Sequence, residues 1–144
     1  MNPIQATIIT IGDELLIGQV IDTNSAFIAQ ALLKIGIPVT SRIAVGDKKA
    51  DIINALDTAS QKSKIIILTG GLGPTADDIT KPLLNEYFGG KMIVHQPSLD
   101  HITYIFETIH KRPMIDRNIK QAEVPDVCEV LFNEKGTAPG MLFK

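Results

Sequence analysis

The segment KIIILT (residues 64–69) is apolar from Ile65 through Leu68 and runs straight into two glycines. A strand with one wet face alternates apolar and polar residues, whereas an unbroken apolar run suits a parallel strand covered on both faces. Two more β-branched runs, ATIITIG (6–12) and IPVTSRIAV (37–45), alternate with segments of helical period. In the first of these segments Ile28, Ala31, Leu32 and Ile35 form one face. Asp22 or Thr23 can cap its start and Gly36 can close it. In the second, within residues 46–63, Ile52, Ile53, Leu56 and Ala59 share a side. A third helix is expected from Thr80 to Phe88, ended by Gly89 and Gly90. A short strand follows at 91–95. A fourth helix spans 97–112, with Pro97 suited to its first turn. Residues 114–125 read as a short helix or turn, and 127–132 as a last strand. This alternation predicts an open, mostly parallel α/β sheet.

The chain has 144 residues, enough for one domain with a real core and too few for two ordinary ones. Its formal net charge of -2 lacks the basic footprint of a nucleic-acid binder. The single cysteine, Cys128, can form no disulfide within the chain and reads as a small core residue. The N-terminal residues do not resemble a signal peptide, and no apolar run reaches the ~18 residues of a membrane span. A soluble cytoplasmic protein is expected, with no nucleic-acid or membrane partner.

In open α/β sheets ligands bind beyond the carboxyl ends of the strands. Here those ends read GDE (12–14), GD (46–47) and GGLGPTADD (70–78). Each presents glycine and then acid. If the strands are neighbours, Asp13, Glu14, Asp47, Asp77 and Asp78 converge on one rim. Gly70, Gly71 and Gly73 let backbone N–H groups turn toward a phosphate, and Thr75 adds a hydroxyl. The stretch also satisfies G-x-G-x-x-A, but no acid follows about 20 residues on, which weakens a dinucleotide reading. Pro82 argues for a helix start near Thr80: a start at Thr75 would bury the proline inside the helix. Thr75 to Asp78 then stay in the loop. Carboxylates beside a phosphate repel it unless a divalent cation such as Mg²⁺ lies between. Lys81, Arg117 and Lys120 could offset phosphate charge.

Plainer roles exist for each acid. Asp47 can cap the second helix, Asp13 and Glu14 can shape a turn, and Asp77 can pair with Lys81 in solvent. His95, His101 and His110 lack zinc-ligand spacing, and no nucleophile elbow supports a Ser-His-Asp triad.

GDELLIGQVIDTNSAFIAQAL, VGDKKADIINAL, LTGGLGPTADDITK, RNIKQAEVP and NEKGTAPG occur in this order. Together they closely resemble the N-terminal domain of the competence/damage-inducible CinA family. That domain is itself similar to the molybdopterin-binding domains of MoaB/Mog type. The resemblance covers nearly the whole chain. It implies a three-layer α/β fold with helices on both faces of the sheet, a homo-oligomer, and a single domain over 1–144. It also implies metal-dependent hydrolysis of ADP-ribose to AMP and ribose 5-phosphate, or binding of molybdopterin. Asp47 and Asp78 match the acids that serve the site in the related domains. The combined expectation makes Asp47, Asp78 and Lys81 catalytic. Asp13, Glu14, Asp47 and Asp78 would hold the metal. Gly70, Gly71, Gly73 and Thr75 would hold diphosphate, with Lys120 offsetting charge and Asn24, Asn118 and Gln121 contacting ribose or base. The alternatives are a non-catalytic pterin or nucleotide-binding module and a regulatory oligomerisation domain. Nothing corresponds to the family's nicotinamide mononucleotide deamidase domain. The chain stops at GTAPGMLFK, where the family continues, so it reads as truncated.

Overall fold

A computed structural model describes residues 4–144. The chain divides into two compact units between Gly71 and Leu72, where the sequence suggests one domain.

The first unit is built on three parallel strands, β1 (Ala6–Ile11), β2 (Val39–Val45) and β3 (Ile65–Thr69), in the order β2-β1-β3. Its helices are α1 (Asp13–Leu16), α2 (Thr23–Lys34) and α3 (Lys49–Ser60). The chain crosses from β1 to β2 through α2, then back past β1 to β3 through α3. Right-handed crossovers in opposite directions put the two helices on opposite faces of the sheet. The strand covered on both faces is therefore β1, buried at all six residues, while β3 is half-buried throughout. Apolar composition alone does not distinguish the two; the central position does. Ile8, Ile9 and Ile11 pack in the core with Ile52, Leu56 and Ala59 of α3.

Helix α2 departs from its expected face. Ile28 and Leu32 are half-buried, Ala31 is exposed, and Ile35 lies past the helix end with 69% exposure. What anchors α2 is its start. Asp22 is the N-cap, accepting from the Ser25 N–H at 3.0 Å and from the Thr10 hydroxyl at 2.8 Å. Arg42 adds an ion pair at 3.6 Å. Partial burial raises the Asp22 carboxyl, but the Ser25 and Thr10 hydrogen bonds and the Arg42 charge outweigh it. The group is held below the usual aspartate value of 3.8. Its stabilisation is therefore complete above that value and is lost as pH falls through the lower folded one. Asp22→Ala is expected to cost about 1 kcal/mol at neutral pH. Urea midpoints of the two proteins should converge in acid; a gap that persists there would count against this origin.

The second unit holds α4 (Thr80–Tyr87), β4 (Met92–Val94), α5 (Gln96–Thr103), α6 (Asp116–Lys120), β5 (Glu123–Pro125), β6 (Glu129–Leu131) and β7 (Gly140–Leu142). Its strands pair antiparallel, β4 with β5 and β6 with β7. Helix α4 starts at Thr80, so Pro82 falls in its first turn as expected. The fourth helix is not uniform: after Thr103 it continues as a π-helix through Ile109. His95 caps α5, its Nδ1 accepting the Ser98 N–H at 3.3 Å. Leu83, Leu84, Ile102, Ala122 and Val124 form the core of this unit. No helix among the described residues is long and apolar enough to cross a membrane.

Candidate functional site

The winding of the sheet reverses beside β1, so the switch-point rule points to the carboxyl ends of β1 and β3. There β1 exits into Gly12-Asp13-Glu14, β3 into Gly70-Gly71, and neighbouring β2 into Gly46-Asp47. Gly70 and Gly71 have φ of 96° and 65°, conformations that side chains resist. A Cβ on Gly70 would also overlap the carbonyl oxygen of Ile11. The two strand exits thus touch through bare backbone.

Asp13 and Asp47 clasp each other. The Asp13 N–H donates to Asp47 Oδ2 at 3.2 Å, and the Asp47 N–H donates to Asp13 Oδ1 at 3.2 Å. Asp13 Oδ1 occupies the space that a Cβ on Gly46 would need. Glu14 does the same at Gly12, where a Cβ would stand 2.6 Å from Oε1. The glycine-then-acid pattern therefore has a local meaning: the missing side chain leaves room for the carboxylate. Asp47 does not cap the following helix. That helix has Lys48 at its N-cap and no side-chain capping bond.

The glycine loop continues into the second unit. Asp78 folds back over it, taking the Thr75 N–H at 2.9 Å and the Thr75 hydroxyl at 2.5 Å on Oδ2. The Gly73 N–H donates to the same carboxylate. A Cβ on Gly73 would stand 2.6 Å from Asp78 Oδ2, so this acid too fills a glycine's space. Partial burial raises the Asp78 carboxyl, while the Thr75 and Gly73 donors outweigh it and hold it below the usual value. Of the glycine N–H groups expected to face a phosphate, that of Gly73 is thus engaged by the chain's own acid, together with the N–H and hydroxyl of Thr75.

Lys81 is placed differently from its expected role. It is 6% exposed, and its ammonium donates to the carbonyls of Gln121 at 3.0 Å and Glu123 at 2.7 Å. Burial lowers its pKa, only partly offset by Glu123. A solvated pair with the exposed Asp77 does not form, because the ammonium has turned inward to tie α4 to β5. Asn118 is buried, with Oδ1 accepting the Ile115 N–H at 3.3 Å, and Gln121 is buried as well. Lys120 and Asn24 are exposed.

One feature escaped the sequence reading. A cavity of about 330 Å³ adjoins Gly46 in the first unit, lined by Leu16, Ile43, Asp51, Asn54 and Thr58 among others. The spacing of Asp51, Asn54 and Thr58 on α3 (i, i+3, i+7) was the available signal.

Among the described residues no three acidic, histidine or cysteine side chains group as metal ligands. The clasp nevertheless suits a cation completed by ligand phosphate. Asp13 and Asp47 each commit one oxygen to the other's N–H, leaving Asp13 Oδ2 and Asp47 Oδ1 as hard donors. Mg²⁺ commonly uses one or two carboxylates together with phosphate oxygens.

Residues 7–143 match the family described as "Probable molybdopterin binding domain". A CinA-like protein of Flavobacterium psychrophilum is 53% identical over 95% of this chain and 33% of its own length. One of Cytophaga hutchinsonii is 50% identical over 97% and 33%. The chain thus spans about a third of the length of these curated relatives. The crystal structure of the protein CinA from Thermoplasma acidophilum, of unknown function, superposes with a TM-score of 0.82 at 31% identity. That match covers 98% of this chain and 82% of the other. A tungsten cofactor synthesizing MoaB from Pyrococcus furiosus shares the fold, with a TM-score of 0.58 at 21% identity over 77% of this chain and 68% of its own. A parallel sheet flanked by helices, glycine–acid strand exits and these matches together establish that the chain belongs to the molybdopterin-binding-domain family, on its CinA-like branch.

Proposed function

We propose that this chain hydrolyses a nucleotide diphosphate of ADP-ribose type with the help of a divalent cation. The observation that carries the reading is the reciprocal Asp13–Asp47 clasp at the carboxyl edge of the sheet, beside the side-chain-free Gly70–Gly71 exit. Asp13 Oδ2 and Asp47 Oδ1 would hold the cation. When bound, it would neutralise phosphate charge and polarise the phosphoryl group. The backbone at Gly70 and Gly71 lets a diphosphate approach closely, and the cavity beside Gly46 has room for a sugar or base. Water adds to one phosphorus, and the bridging oxygen leaves with the other phosphate, giving AMP and ribose 5-phosphate. Within the second unit, the hydrogen-bond donors of Gly73 and Thr75 form a phosphate cradle of their own. Asp78, in the second unit, is a third acid whose loss is expected to lower turnover, and Lys120 is exposed in that unit.

The test is AMP release from ADP-ribose, followed chromatographically with Mg²⁺ and again with excess chelator. Release that needs Mg²⁺ is the expected result. No release with any of several divalent cations would sink hydrolysis. A binding module is the second reading, favoured by the inward turn of Lys81, which leaves the loop without that cation. A ligand-induced rise in melting midpoint without AMP release would select it.

A further inference from the structure

The loop at 73–78 is built as an anion cradle, and it already contains an anion. Three donors, the Gly73 N–H, the Thr75 N–H and the Thr75 hydroxyl, converge on the Asp78 carboxylate. That carboxylate lies in the hollow left by the missing side chain of Gly73. A carboxylate and a phosphate oxygen ask for the same partners: N–H and O–H donors, close backbone and a fixed concavity. One set of donors cannot serve both.

We propose that Asp78 is the resting occupant of the loop's oxyanion subsite, and that a phosphate-bearing ligand binds there by displacing its carboxylate. The inference rests on reading this loop as a phosphate cradle. The ligand-free loop then keeps its donors satisfied instead of leaving them bare, and weak anions are excluded by a tethered competitor. Displacement releases the carboxylate for the role proposed above. Binding and turnover pull in opposite directions at this residue. Removing Asp78 should improve anion binding even where it abolishes hydrolysis.

Pyrophosphate is the probe, titrated calorimetrically into the whole chain with excess chelator, so that no cation can recruit Asp78 to the ligand. Asp78→Ala empties the cradle and should bind pyrophosphate at least tenfold tighter than the native chain. Asp78→Asn keeps an oxygen for Thr75 but loses the charge, so it should fall between the two. It also keeps the test available if the alanine variant folds poorly. Asp77→Asn removes an equal charge from the exposed neighbour and should change affinity less than twofold. In the native chain, the amide resonances of Gly73 and Thr75 should move on titration. Equal or weaker binding by both Asp78 variants overturns self-occupancy while leaving the cradle reading intact. An Asp77→Asn effect as large as that of Asp78→Asn overturns it as a general charge effect. Absence of binding in every variant overturns both it and the phosphate cradle.

Discussion

Asp47→Asn should lower Mg²⁺-dependent release of AMP from ADP-ribose by about a hundredfold, with little change in melting midpoint. The substitution is nearly isosteric. An amide oxygen can still accept the Asp13 N–H, so the clasp between the ends of β1 and β2 survives. What disappears is one negative charge and one hard donor facing the proposed cation. Asp47→Ala is the companion variant: it opens the clasp and should lose stability as well as activity. If Asp47→Asn keeps its rate within threefold while Asp47→Ala melts early, the clasp is only structural and the acid has no part in chemistry.

Gly70→Ala should destabilise the chain by about 3 kcal/mol. Two costs combine. The residue has φ 96°, where an alanine is strained. Its Cβ would also overlap the Ile11 carbonyl, a backbone atom of the central strand that cannot rotate away. Gly36 separates the two costs. It has φ 80° with nothing within 4 Å of an added Cβ, so Gly36→Ala should show only the strain, about 1 kcal/mol. Urea unfolding of the two variants measures the difference. Equal losses would mean that the approach of β3 to β1 is not tight.

Much of the chain was legible beforehand, for reasons that differ by element. Pro82 located the start of α4 because a ring without an N–H cannot sit deep in a helix. The three parallel strands were visible as β-branched runs, and Asp22 as a cap by residue type. By contrast β5 was missed. It has three residues, ends on Pro125 and exists through pairing with β4. The π-helical end of the fourth helix was also missed, since its apolar spacing resembles that of an α-helix. At the site, Asp13, Glu14, Asp47, Asp77 and Asp78 were expected on one rim; Asp13 and Asp47 meet at the ends of β1 and β2, and Asp77 and Asp78 lie in the second unit. Lys81, Asn118 and Gln121 were expected to face a ligand and are buried instead. A lysine in a first helical turn reads as a surface charge until the chain's distant carbonyls are seen. Those carbonyls are 40 and 42 residues away.

The sequence by itself determined the alternation of strands and helices, the glycine-then-acid exits and the late start of α4. All three follow from backbone sterics and local periodicity. Only the tertiary structure decided that β1 is the central strand, that Lys81 points inward, and that Asp13 crosses to Asp47 across 34 residues. It also decided that the acids lie in the hollows of Gly12, Gly46 and Gly73. For Gly46 and Asp13 that fit joins two strand ends far apart in the chain. For Gly12 and Gly73 the acid is near in sequence and returns through a local turn, a shape that residue types alone do not fix. Contacts of this kind depend on how elements pack, and no local pattern contains that energy.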